Sequence, residues 1–201
     1  GSVLRSLVFN PRTSPNFSWA WLGRATIVLG YYLVGARLLY FVQDRLGLGV
    51  VAAAAAVGSL ALIGGVAKIV ALLASGPLSD RWGRRPFVAG AAVVVALGLL
   101  SLTVATDLTT LTICYFVLAL GFGVFVGVDQ ALVADVLPAR SDVAKDLGII
   151  NLAATLPQTL APAIGSLLLA ASGGSYNALL IVGAVIAATT AVATYRIKGV
   201  R

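Results

Sequence analysis

Gly76-Pro77-Leu78-Ser79-Asp80-Arg81-Trp82-Gly83-Arg84-Arg85 sets a burst of charge between two long apolar stretches. Four of these ten residues are charged, against 10% in the chain as a whole, so the segment marks a boundary where the chain leaves an apolar solvent. Outward from it the composition names that solvent. Hydrophobic residues make up 60% of the 201, and the mean hydropathy is +1.02, well above a soluble domain's usual composition. The chain reads as an all-α membrane protein, with the lipid bilayer as its first partner.

Six apolar runs approach the twenty or so residues that a helix needs to cross the hydrocarbon core: 17–41, 50–74, 87–105, 111–136, 147–171 and 178–195. The connections between them are short, including 75–86 around the charged stretch and 138–146 further on. They predict one compact six-helix bundle over 17–195, with a tail over 196–201. The segment 1–16 reads as the end of a cytoplasmic linker. Gly1-Ser2 and the absence of methionine suggest a tag remnant on an excised piece.

Lys and Arg collect at alternate ends of the spans. Arg5 and Arg12 precede the first, Arg81, Arg84 and Arg85 follow the second, Arg140 and Lys145 follow the fourth, and Arg196, Lys198 and Arg201 follow the sixth. The opposite side offers Arg45, beside Asp44. The positive-inside rule then predicts cytoplasmic termini and a cytoplasmic (inner) membrane location. The net charge of +7 is explained by this placement, and no basic stripe points to nucleic acid. The single Cys114 rules out an intrachain disulfide, and with no histidine and no visible nucleophile and base pair we expect no catalytic residues, no metal site and no cofactor.

A charge at the bilayer centre costs at least about 2.5 kcal/mol even on the lenient insertion scale, so each intramembrane charge needs a reason. Arg37 lies near the outer end of its span, within snorkelling reach of the headgroups. Arg24, Lys68 and Asp129 each lie about two turns, or about 10 Å, inside their spans from the cytoplasmic end. Asp129 is expected to pair with Lys68 or Arg24, leaving one cation for an acidic group elsewhere or for an anionic part of a substrate. The pair reads either as a device that fixes helix packing or as a site that gains and loses a proton as a cavity opens.

The fifth span carries Asn151, Thr155, Gln158 and Pro162 at spacings of four, three and four, a polar face expected to point inward. Pro157 and Pro162 are expected to bend that helix. Tyr31 and Tyr32, with Phe122, Phe125 and Gln130, are candidate pocket residues, Tyr31 and Gln130 the preferred ones. The third and sixth spans are nearly devoid of polar side chains and read as peripheral.

The charged decapeptide resembles the loop signature of the major facilitator superfamily, carried here by Gly76, Asp80, Arg81, Gly83, Arg84 and Arg85. Two further stretches, Val128 to Pro138 and Ala144 to Gln158, resemble the carboxyl-terminal half of actinobacterial-type members, and Ala161-Pro162-Ala163-Ile164-Gly165 is similar to the family's Gly-Pro-x-x-Gly helix motif. In the last of these Ala161 replaces the family's first glycine. An arginine expected early in the fourth helix of an amino-terminal half is absent, since Val117 and its neighbours are apolar.

The resemblance implies two inverted three-helix repeats forming one half of a twelve-helix carrier. It implies that the first and fourth helices line the path, that Asp80 caps a helix of the missing half, and that the arginines latch onto Asp135. The expected function is half of a secondary active transporter, not an enzyme, moving a sugar-like or drug-like small molecule by alternating access with protons. Its partner would be the amino-terminal six-helix half or a second copy. A non-transporting membrane scaffold or assembly subunit is the alternative.

Overall fold

The computed structural model describes residues 15–136 and 143–197, and within them every regular element is a helix. This is what the solvent demands, because a helix satisfies its own backbone hydrogen bonds where lipid offers none. The elements are α1 (Pro15–Gly35), α2 (Leu38–Leu46), α3 (Val50–Trp82), α4 (Arg84–Ser101), α5 (Leu108–Val136), α6 (Val143–Ala171) and α7 (Tyr176–Arg196). Most of the 1–16 linker, the Arg140 region and the basic tail beyond residue 197 lie outside the described residues.

The first span is two helices, α1 and α2, bent by 50°. Between them Arg37 N–H reaches back only three residues, to the Val34 carbonyl at 2.9 Å, so one turn of the α-helical ladder is interrupted. The span also runs on to Leu46, where Gly47 closes it in the left-handed conformation at φ 63°.

The expected loop over 75–86 is corrected by the structure. α3 continues as helix through Gly76 to Trp82, over 33 residues, or about 50 Å at the helical rise, well beyond the hydrocarbon thickness. Gly83 alone separates it from α4, at φ 95° and ψ 143°, a conformation that only glycine adopts without strain. Charge ends a span's contact with lipid but not its helical hydrogen bonding, which is why hydropathy set the boundary too early. The remaining boundaries shift by a few residues. α4 stops at Ser101, ahead of the expected 105, and α6 is one helix through Pro157 and Pro162.

The packing follows the expected internal repeat. α1 packs on α7 and α6, while α5 packs on α4 and α3, and α4 packs on α7. Exchanging the first three spans for the last three leaves this pattern of neighbours unchanged, as an inverted repeat requires. Within each three-helix repeat consecutive spans hardly touch: α3 barely meets α4, and α6 barely meets α7. Each three-helix repeat therefore has no core of its own, and the buried cluster is shared between them. It runs through Ile27 and Val34 of α1, Leu60 of α3, Val95 and Leu99 of α4, Leu118 and Phe125 of α5, and Leu180 of α7.

Small residues allow this interlocking. A Cβ on Gly30 of α1 would lie 2.6 Å from the Gly183 carbonyl oxygen of α7, and one on Gly123 of α5 would lie 2.6 Å from the Lys68 carbonyl oxygen of α3. Beside the first contact, Thr190 donates to the Gly23 carbonyl at 2.9 Å and meets the Thr26 hydroxyl at 2.8 Å.

Cover is uneven. In their most apolar stretches 44% of residues are buried in both α4 and α7, but only 28% in α3 and 22% in α6. The third and sixth spans pack on each other and on the fourth and first, and the barest flanks are the second and fifth. The exposed faces of α4 (Val93, Leu97, Leu100) and α7 (Ile181, Val185, Val192) are mostly apolar, with Thr189 among the exposed residues of α7, and suit lipid.

Candidate functional site

The chemistry gathers at two levels. Deep in the bundle, α1 places Arg24 against Asp129 of α5, with Nη1 to Oδ2 at 3.3 Å and side chains only 9% and 5% exposed. Of the two pairings left open by the sequence, this is the one formed. Arg24 Nη1 is buried without an aligned hydrogen bond, so the contact is chiefly electrostatic. Such a pair is held against a large desolvation cost, and losing one member leaves an uncompensated charge.

A cavity of about 190 Å³ opens beside the pair. Its polar lining comes from Arg24, Asp129 and Gln130, from Gln158 of α6 and from Tyr32 of α1, and its apolar lining includes Phe122 and Phe125. Gln130 and Gln158 are where the sequence placed them. Tyr31 is not, because it is buried, stacking on Phe122 with centroids 3.9 Å apart, and its neighbour Tyr32 faces the cavity instead. Adjacent helical residues point about 100° apart, and periodicity alone does not choose between them.

Lys68 does not share the level of the pair. It sits 14 residues before the end of α3, whose unexpected extension places it deeper than the apolar run suggested. Gly123, its packing neighbour on α5, precedes Asp129 by six residues, or about 9 Å of helical rise. The Lys68 ammonium lies 5.9 Å from the centre of the Tyr31 ring, a cation–π contact.

The polar face of α6 is exposed within this unit, because α6 packs mainly on α1 and leaves most of its circumference bare. Only Gln158 reaches the cavity. Asn151 and Thr155 do not, and the Thr155 hydroxyl donates to the Asn151 carbonyl at 3.1 Å. Arg37, expected to snorkel, instead bridges the α1–α2 break to α6 through the Pro162 carbonyl at 3.3 Å and the Ser166 hydroxyl. The bend that positions it had no signature in hydropathy.

The second level is the charged end of α3. Arg84 is its hub, donating to Asp135 of α5 at 2.7 Å, to Asp80 at 3.2 Å and to the Ala131 carbonyl at 3.0 Å. Arg85 donates to the Tyr195 carbonyl of α7 at 2.8 Å, while Arg81 is exposed and makes no ion pair among the described residues. Gly83 provides the joint that lets Arg84 turn back toward Asp80, and Gly76 is an ordinary helical residue of α3. At the opposite end Arg45 ties α2 to the turn after α4, through the Thr103 carbonyl at 3.0 Å, and to Asn177 of α7. Sequence reasoning missed this clamp, since nothing in hydropathy brings Arg45 to residues 103 and 177.

Helices able to cross a membrane, a buried ion pair beside a polar-lined cavity and a charged joint at one end define a multi-pass membrane protein with the parts of a solute carrier. The family profile of the Major Facilitator Superfamily matches residues 20–199, and the chain belongs to that family of membrane transporters. Comparison with curated proteins gives no match.

Proposed function

We propose that this chain is one six-helix half of a secondary active transporter that moves a small solute, sugar-like or drug-like, across the cytoplasmic membrane by alternating access. Protons drive it through Asp129, and the end bearing Arg84 and both termini face the cytoplasm. The observation that carries this reading is the Arg24–Asp129 pair, buried at 3.3 Å yet bordering a cavity with two glutamine side chains in its lining. A pair serving packing alone has no need of a polar opening beside it, whereas a coupling carboxylate needs access and a cation to receive it when it ionises.

The bare flanks of α3 and α6 supply the place for the other half, so the path lies between two such units. The Arg84 cluster then acts as a latch: it ties α3 to α5 at one end while Asp80 and Arg81 remain exposed for the partner's helix ends. The same flanks would serve a second copy of this chain in a homodimeric carrier. Reconstitution separates these cases. Saturable uptake into liposomes is expected with the amino-terminal half present and not with this chain alone. Uptake by this chain alone would establish the homodimer, and an assembled complex without flux of any solute would indicate a membrane scaffold.

A further inference from the structure

We infer that Lys68 anchors a negatively charged group on the transported solute, so that the carrier handles organic anions. This rests on the transport reading and narrows it. Of the intramembrane charges, Arg24 and Asp129 neutralise each other at 3.3 Å, and Arg37 is engaged by the Pro162 carbonyl and the Ser166 hydroxyl. Lys68 is left as the spare cation, with no ion pair or hydrogen bond among the described residues and only the Tyr31 ring beneath it, 5.9 Å away. Placing an unpaired ammonium this deep in a membrane protein is expensive, and such groups mark substrate or ion paths.

Its position is also built. The backbone of α3 at Lys68 is seated against Gly123, where any side chain would collide with the Lys68 carbonyl oxygen. Tyr31 is held from the other side by its stack on Phe122, whose ring also borders the cavity. Lys68 is half-buried on α3, a flank that this unit leaves largely uncovered and beside which the proposed path runs. An ammonium is a compact point charge that takes a carboxylate or phosphate without a fixed geometry. The rings below it and the glutamines of the cavity suit an apolar or hydroxylated body attached to that anionic group.

The test uses the intact transporter in liposomes and a panel of small organic acids, each matched with its neutral amide. We expect saturable uptake of at least one acid and not of its amide. Lys68→Gln should weaken uptake of that acid about tenfold or more, and Lys68→Arg should keep the preference for acid over amide. Equal uptake of acid and amide by the unaltered protein would overturn the inference while leaving transport intact, whichever variants fold. So would unchanged acid uptake by a folded Lys68→Gln protein. No flux of any solute, across acids, amides, sugars and cationic drugs, would instead contradict the transport reading on which the inference rests.

Discussion

Two of the arginine–aspartate pairs among the described residues share their chemistry but lie in opposite surroundings. Arg24–Asp129 is almost wholly buried at 3.3 Å, whereas Arg84–Asp135 is tighter, at 2.7 Å, but 27% and 37% exposed. The shorter pair is the cheaper one to open, because water can take over both partners when they separate. The longer pair cannot open without water, a proton or a solute entering with it. Distance is therefore a poor guide to strength here, and solvent access decides which pair suits a latch and which suits a coupling site.

The largest effect should come from breaking the buried pair one-sidedly. Asp129→Asn leaves the Arg24 charge uncompensated and is expected to destabilise the protein by about 3–5 kcal/mol in equilibrium unfolding in detergent. Replacing both members, as Arg24→Met with Asp129→Leu, should restore most of that loss. If the double variant is as unstable as the single, desolvation is not what distinguishes this site.

Gly83→Ala should cost about 1 kcal/mol or more, because alanine at φ 95° is strained and the joint holding Arg84 against Asp135 is displaced. Arg84→Ala should cost about 1 kcal/mol at low salt, and less as salt rises toward 1 M, while the Asp129→Asn penalty should hardly change with salt. Equal salt sensitivity would remove the contrast between the two pairs.

The smallest effect belongs to a fully exposed carboxylate outside the spans. Asp107 accepts from the Thr110 and Thr109 backbone N–H groups at 3.0 and 2.9 Å, capping α5. The Thr110 backbone and hydroxyl donors hold its acid below the usual carboxylate range. Its contribution is therefore fully present above that range and is lost as pH falls through the lowered folded value. Asp107→Asn should remove this small acid-side loss, read as the shift of the melting temperature between neutral and acid pH.

Hydropathy and one motif made the six-span fold legible, because lipid leaves the backbone few choices. The inverted repeat followed from family resemblance and is visible in the packing. Gln130 and Gln158 were legible as polar residues with nowhere else to be satisfied. What the sequence could not supply was relative position. The helix through Gly76 to Trp82 follows from backbone bonding that hydropathy does not measure, and it moved Lys68 a turn and a half away from Asp129. Similarly, the choice between Tyr31 and Tyr32, the outward turn of Asn151 and Thr155, and the Arg37 and Arg45 clamps all depend on which helix lies alongside which.

The central claim is that Asp129 carries the proton. The most direct measurement is proton movement into liposomes holding the intact transporter, followed with a trapped pH-sensitive dye while solute is driven inward. We predict solute-dependent proton entry with the unaltered protein, and solute movement down its gradient without proton entry with Asp129→Asn. Undiminished solute-coupled proton entry through Asp129→Asn would contradict the account.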